Sequence, residues 1–299
     1  MNQIVASVPS PAKPARSLTE IRASLNFIRR QDTKPVFHSA ALTGGEAKIF
    51  FDPEAHTVPV SDMREIADDL SVDREGFELL HHTTAVENLN DDDAMEREYY
   101  PKIEALLRRK FGASQVVIFD VTRRSDSEAG AQNPDGLRGP ATRVHVDYTV
   151  KSEPQRAKDI LGEDEAARLT AAGARIIQIN VWRPIHGSVE RSPLALADAS
   201  TVRPEDLIAT DQIFPDRVGE IYNLAHAPAQ RWYYAPRMIE EEVLLIKGWD
   251  SLEDGRARFA PHGAFKLSET HEDASPRESI EVRTLVVIEQ LGEEKGKAQ

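Results

Sequence analysis

The stretch "ATRVHVDYTV", residues 141–150, decides how this chain is read. Extended, it alternates its side chains, so His145 and Asp147 share one face while Val144, Val146 and Tyr148 share the other. Such a face is either two ligands of a metal site or the polar side of a half-buried strand. The downstream sequence bears on the choice. From residue 174 onward "ARIIQINVWRPI", "PLALADAS", "GEIYNLAHA", "QRWYYAP", "EEVLLIKGWDS", "RFAPHGAF" and "SIEVRTLVVIEQ" succeed one another. Short β-branched and aromatic runs with turn residues between them predict a sandwich or barrel in the second half.

Upstream the pattern is mixed. "AKIFFDPE" and "GFELLHHTTAV" read as strands around a short acidic helix near "SDMREIADDL", with Ser61 and Glu65 near its start. "DDDAMEREYYPKIEALLRRKFG" reads as a longer helix, acidic at its positive end and basic before Gly112, kinked or restarted at Pro101. The strand "ASQVVIFDVTRR" is next, then "SDSEAGAQNPDGLRGPAT", whose length fits a lid or a disordered flap. "SEPQRAKDILGEDEAARLTAAG" reads as one or two helices. Residues 1–16, with three prolines, read as a loose tail.

The 299 residues carry 50 acidic and 37 basic side chains, a net charge of −13. That balance repels a phosphate backbone, so nucleic acid is not expected as a partner. With no cysteine, any metal must be held by His and carboxylate. Neither a signal peptide nor a membrane-length apolar run is present, which leads to the expectation of a cytoplasmic protein.

Two imidazoles and one carboxylate on an open face suit ferrous iron, which keeps neighbouring positions for other ligands. Spacing alone proves little, since a second His-x-Asp stands at His271 and Asp273 in a polar segment. Candidates for a third ligand are His262 in "FAPHGAF", His226 in "NLAHAPAQRW", and His271. At the C-terminal strand, Arg277, Ser279, Glu281 and Arg283 fall on one face and Ile280, Val282, Val286 and Ile288 on the other. A guanidinium inside a barrel needs an anion, and Arg277 with Ser279 has the arrangement of a carboxylate clamp. Arg183, near Asn180 and Trp182, is a second arginine with that potential. His81 and His82, adjacent on a strand, face opposite ways and are not read as a chelate. Lys247 is expected to reach out to water.

His145-x-Asp147, the distal His262 and Arg277-x-Ser279 together resemble the iron(II)/2-oxoglutarate oxygenases. "VHVDYTVKSEPQR", "INVWRPIHGSVERSPLALADA", "RWYYAPRM", "LLIKGWDS" and "PRESIEVRTLV" look like the gibberellin desaturase-like and cephem 7α-methoxylase-related branch, from about residue 75 to the C-terminus. The resemblance implies a mainly β fold with flanking helices around a double-stranded β-helix (jelly-roll, cupin-like) core. It implies one oxygenase domain over 17–299, with an N-terminal α/β extension at about 17–140 and the core at about 141–290. It makes His145, Asp147 and His262 the iron ligands and gives the 2-oxoglutarate carboxylate to Arg277 with Ser279, Arg283 being the alternative. Tyr148, Asn180, Arg183 and Arg283 become candidate substrate or cosubstrate contacts. The family often has Asn between the first two ligands and Thr after the distal histidine; here they are Val146 and Gly263.

The implied activity is hydroxylation or desaturation of an unactivated C–H in a small molecule, a secondary metabolite or carboxylated compound. It uses iron(II), 2-oxoglutarate and O2 and releases succinate and CO2. Arginines 123, 124, 138 and 143 would suit an acidic substrate. The oligomeric state stays open, a homodimer included. Two alternatives are also open: a non-catalytic β-barrel that binds an acidic ligand, and a cupin-like metal dioxygenase that does not use 2-oxoglutarate.

Overall fold

The computed structural model describes residues 17–289 apart from positions 87, 134, 135, 269, 271 and 272. The expected tail at 1–16 and His271 of the second His-x-Asp lie outside these residues. The strands in chain order are β1 (Glu20–Ile28), β2 (Val36–His38), β3 (Lys48–Phe50), β4 (Pro53–Asp62), β5 (Phe77–His81) and β6 (Gln115–Ser125). Then come β7 (Ala131–Asn133), β8 (Gly136–Arg138), β9 (His145–Val146), β10 (Arg175–Pro184), β11 (Leu194–Ala197) and β12 (Leu207–Ile213). The last are β13 (Val218–Leu224), β14 (Trp232–Tyr234), β15 (Glu242–Asp250), β16 (His262–Ala264) and β17 (Glu278–Ile288). The α-helices are α1 (Ala40–Thr43), α2 (Asp92–Ala94), α3 (Tyr100–Phe111), α4 (Ser152–Leu161) and α5 (Glu163–Ala171). None of the described helices is long and apolar enough to cross a membrane.

A five-stranded sheet in the order β5-β15-β10-β17-β6 faces a ten-stranded one in the order β1-β4-β14-β11-β16-β9-β13-β12-β2-β3. Central strands β10, β15 and β17 are buried along nearly their whole length on both faces, although each carries polar residues among its apolar ones. Ile177, Ile179, Val181, Ile280 and Val282 turn outward onto Tyr99, Ile103 and Leu107 of the helical segment. Trp182, Leu244 and Ile246 turn inward and meet Leu194, Leu196 and Ala264 of the opposite sheet. Strand alternation thus separates an outer core under α3 from the barrel interior.

Strands from residues 17–140 lie within both sheets. The ten-stranded sheet curls so far that Asn26 of β1 bridges Arg143, and Val144 N–H donates to Asn26 C=O at 2.9 Å. Apolar residues of β1, β4, β11 and β14 fill the curl, Leu25, Phe27, Val60, Ala195 and Trp232 among them. The segment leading into β9 is therefore gripped just ahead of His145.

Several local expectations change. The segment 141–150 is a strand only at His145–Val146, with a bend at Asp147. The helix at 91–112 is broken: α2 passes into a π-helical turn at Met95–Tyr99 before α3. Pro101 has no N–H to give and its ring crowds the preceding turn, so a widened turn ahead of it relieves both problems. Gly112 ends α3 at φ 64°, in the left-handed region that favours glycine. The short helix after β4 is a 3-10 segment, Met63–Asp69, capped by Asp62 rather than Ser61. The expected flap forms the hairpin β7–β8, docked where Asn133 bonds both the N–H and the C=O of Arg123 at 2.8 Å. Two strands are not among those expected: β1, although Ile21, Ala23, Leu25 and Phe27 alternate with Glu20, Arg22, Ser24 and Asn26 along it, and β12, "LIATDQI", which shows no such period. Lys247 does not reach water: it is buried, its Nζ held by Asp73 at 2.7 Å, Asp250 at 2.8 Å and Ala257 C=O at 2.9 Å.

Candidate active site

Strands β9 and β16 are antiparallel neighbours, and their register sets His145 opposite His262. The two rings lie 4.8 Å apart. His145 Nδ1 lies 2.8 Å from Arg143 C=O and His262 Nδ1 lies 3.0 Å from Ala260 C=O. A carbonyl can only accept, so each Nδ1 carries the proton and each Nε2 presents its lone pair. Gly263 permits the close approach of these strands, because a Cβ there would stand 3.1 Å from Arg143 O and 3.3 Å from Val144 Cα. The glycine that departs from the family pattern is thus explained by backbone packing.

The bend after β9 brings Asp147 Oδ1 to 3.6 Å from His145 Nε2. Oδ2 is already engaged, accepting from Asn180 Nδ2 at 2.7 Å and from Arg283 Nε at 3.3 Å. Ligand atoms of His145, Asp147 and His262 all lie within 4.8 Å of one another. Burial favours the neutral carboxylic acid, but Arg283 and the two histidines hold Asp147 well below the usual carboxylate range. Burial, then His145, lowers His262 below the usual imidazole value. Metal binding requires a neutral His262 and an ionised Asp147, and these are the forms favoured.

The same space is lined by Arg277. Arg277, just ahead of β17, is buried, and Nη1 donates to Ser192 C=O at 2.8 Å. Among the described residues, its Nε and Nη2 have no partner. Burial and the nearby Arg124 pull its pKa down to about 10. Nε and Nη2 form one edge of the guanidinium fork, the edge that matches the two oxygens of a carboxylate. Unpartnered buried donors are rare, so this pair fits a ligand anion. The space measures about 320 Å³ counted out to solvent and is lined by Arg124, Ala141, His145, Trp182, Leu194, His262, Arg277, Glu281 and Arg283. A two-imidazole, one-carboxylate donor set and a free guanidinium edge fit iron(II) and 2-oxoglutarate together.

Arg283 has less to offer a ligand anion, since its donors already meet Asp147, Asp120 and Glu281. Burial opposes its charge, yet those carboxylates raise its pKa well above the usual value. Ser279 lies on the same face as Arg277, its hydroxyl 3.5 Å from Arg124 C=O. Asn180 touches Asp147 rather than the open space. Tyr148 does not line that space either; its ring sits 6.5 Å from that of Phe119.

The expectation for Arg183 is corrected. Period two puts it on the opposite face from Asn180 and Trp182, where Nη1 meets Tyr99 OH at 3.4 Å and Nη2 donates to His82 C=O at 3.2 Å. His226 stacks on His56 at 4.0 Å, away from the cluster. Of arginines 123, 124, 138 and 143, Arg124 lines the space; Arg123 is tied to Asp92 and Arg143 lies over the Phe37 and Phe51 rings. Glu281 lines it too, and no local sequence signal distinguishes it from a surface acid on a strand.

A family model described as an oxidoreductase/YMDC permease-like domain matches residues 25–287. The hydroxylase/desaturase efuI of Hormonema carpetanum is 31% identical over 96% of this chain and 98% of its own. The Fe(II)/2-oxoglutarate-dependent dioxygenase nvfI of Aspergillus novofumigatus is 33% identical over 81% of this chain and 87% of its own. A solved structure of the iron and alpha-ketoglutarate-dependent endoperoxidase NvfI superposes with a TM-score of 0.80 at 28% identity, covering 91% of this chain and 99% of that one. The chain belongs to the iron(II)/2-oxoglutarate-dependent oxygenases, with iron(II) as cofactor and 2-oxoglutarate and O2 as cosubstrates.

Proposed function

We propose that His145, Asp147 and His262 hold the iron(II), and that Arg277, with Ser279 beside it, holds the far carboxylate of 2-oxoglutarate. The observation that carries this reading is the bare Nε/Nη2 edge of buried Arg277 in the same space as His145 and His262. Bound iron supplies oxygen activation coupled to decarboxylation of 2-oxoglutarate, releasing succinate and CO2. The protein's own part is orientation. Asn180 and Arg283 hold Oδ2 of Asp147, which leaves Oδ1 for the metal. Arg277 fixes one end of the cosubstrate, while Trp182 and Leu194 line the space with apolar surface that excludes water.

The substrate in this reading is an acidic small molecule, a secondary metabolite whose unactivated C–H is hydroxylated or desaturated. Arg124 supports the acidic character. Its Nη1 donates to Gly139 C=O at 2.9 Å, it has no carboxylate partner among the described residues, and burial lowers its pKa. A cytoplasmic site of action belongs to the same reading, supported by a composition that needs no oxidising compartment.

An anaerobic crystal soak with iron(II) and 2-oxoglutarate tests the assignment. The expected density joins the metal to His145, Asp147 and His262 and places a carboxylate on Arg277. Full iron-dependent succinate formation by His145→Ala would overturn it.

A further inference from the structure

We propose that Gln178, given room by Gly248, is a positioning residue for the metal-binding carboxylate. It fixes the orientation of the Asn180 amide and thereby keeps Oδ1 of Asp147 free. The proposal rests on the assignment of Asp147 as an iron ligand.

Ionised Asp147 can only accept, so Asn180 must turn its Nδ2 toward Oδ2, the 2.7 Å contact observed. Asn180 Oδ1 then points the opposite way inside a fully buried environment and requires a donor. Gln178 lies two residues back on β10 and so on the same inner face, with Nε2 2.5 Å from Asn180 Oδ1. The polarity of the chain is thereby set from one end: carboxylate, Asn180 amide, Gln178 amide.

That polarity leaves Gln178 Oε1 facing away, buried and without a donor. The fold makes room for it with an irregularity. Between β10 and β15, Gln178 pairs with Trp249 but Ile179 pairs with Lys247, so Gly248 is the extra residue of a β-bulge. A Cβ on Gly248 would stand 1.5 Å from Gln178 Oε1 and 2.7 Å from Cδ. Gly248 does not have a positive φ, so its backbone would accept alanine and the obstruction is the Gln178 side chain alone. Bulge, glycine and orphaned oxygen are accounted for together if the amide of Gln178 has to occupy that place. Without it, Asn180 Oδ1 is left buried with no donor, the amide shifts to find one, and Oδ2 of Asp147 loses the fixed partner that holds the carboxylate in a single orientation.

The test is binding of Co(II) alone, without 2-oxoglutarate, measured by visible absorption, with melting of the metal-free proteins as a check on folding. Gln178→Met and Gly248→Ala are each expected to weaken Co(II) by about 10- to 100-fold, the range for a residue supporting a metal ligand, and to alter the Co(II) spectrum. The double variant Gln178→Ala/Gly248→Ala is expected to bind no more weakly than Gln178→Ala, because the added methyl then has nothing to displace. Two results would overturn the proposal: wild-type affinity in Gln178→Met, or a full additional loss from Gly248→Ala in the Gln178→Ala background. If Gln178→Met fails to fold, Gly248→Ala with unchanged affinity and spectrum overturns it on its own. Asp147→Ala separates the two levels. Wild-type Co(II) binding there removes the underlying site, whereas lost binding there with wild-type affinity in Gln178→Met removes only the positioning role.

Discussion

Replacing Arg277 by methionine should change stability and binding in different directions. In the ligand-free protein the guanidinium is buried with two bare donors, each costing about 1–3 kcal/mol. Methionine fills similar volume without those donors, at the loss of a charge-assisted bond to Ser192 worth about 1.5–3 kcal/mol. The ligand-free variant is therefore expected to lie between about 1 kcal/mol less stable and about 4.5 kcal/mol more stable than the parent. Cosubstrate binding should move the other way. Loss of a buried bidentate partner costs about 2–5 kcal/mol, which raises the 2-oxoglutarate KM about 30- to several thousand-fold. Calorimetric melting with and without 2-oxoglutarate, in the presence of Mn(II), reads both effects. The parent should gain about 2.7 kcal/mol at a ligand concentration a hundred times its Kd, and the variant at most about 0.9 kcal/mol at that concentration. A variant that melts well below the parent without ligand, yet keeps the same ligand-induced shift, would refute the reasoning.

His262→Ala should abolish Co(II) binding while His226→Ala leaves it within about twofold, since His226 stacks on His56 outside the cluster; equal losses would contradict the register-based assignment. Arg183→Met should leave the 2-oxoglutarate KM within about twofold, because the side chain lies under Tyr99 on the far face of β10; a tenfold rise would put it back in the site. Glu153 on α4 is buried, neither carboxylate oxygen has a partner, and burial raises its pKa to about 8. The folded state then holds a proton that the unfolded chain releases near pH 4.5, so this contribution to stability is complete below pH 4.5 and is lost as pH rises to about 8. Glu153→Gln should accordingly be near neutral at pH 4.5 and stabilising above pH 8, by at most about 5 kcal/mol. Urea unfolding at the two pH values checks this, and the same difference at both would sink it.

Sequence alone determined the chemistry on offer. Without cysteine, a metal site had to use His and carboxylate, and the period of an extended chain set Arg277 in line with Ser279, Glu281 and Arg283; His145 and Asp147 were legible as a motif, but a bend at Asp147, not strand period, joins them. The β-branched and aromatic residues of β10, β15 and β17 announced strands, but not that their polar faces are buried as well. Period two also separates Arg183 from Asn180 and Trp182, but polar and apolar residues stand on both faces of β10, which hides which face is the interior. β1, "EIRASLNFI", carries the period-two alternation of a half-buried strand, with Ile21, Ala23, Leu25 and Phe27 on one face, whereas β12, "LIATDQI", has no such period although it pairs with the adjacent β13. Tertiary structure decided the rest, because strand pairing is a contact between distant segments and leaves no local period. Register placed His262, not His226, opposite His145. The neighbours of each arginine saturated Arg283 and left Arg277 bare. The bulge at Gly248, invisible in either strand taken singly, made the space in which Gln178 meets Asn180 and Asn180 meets Asp147.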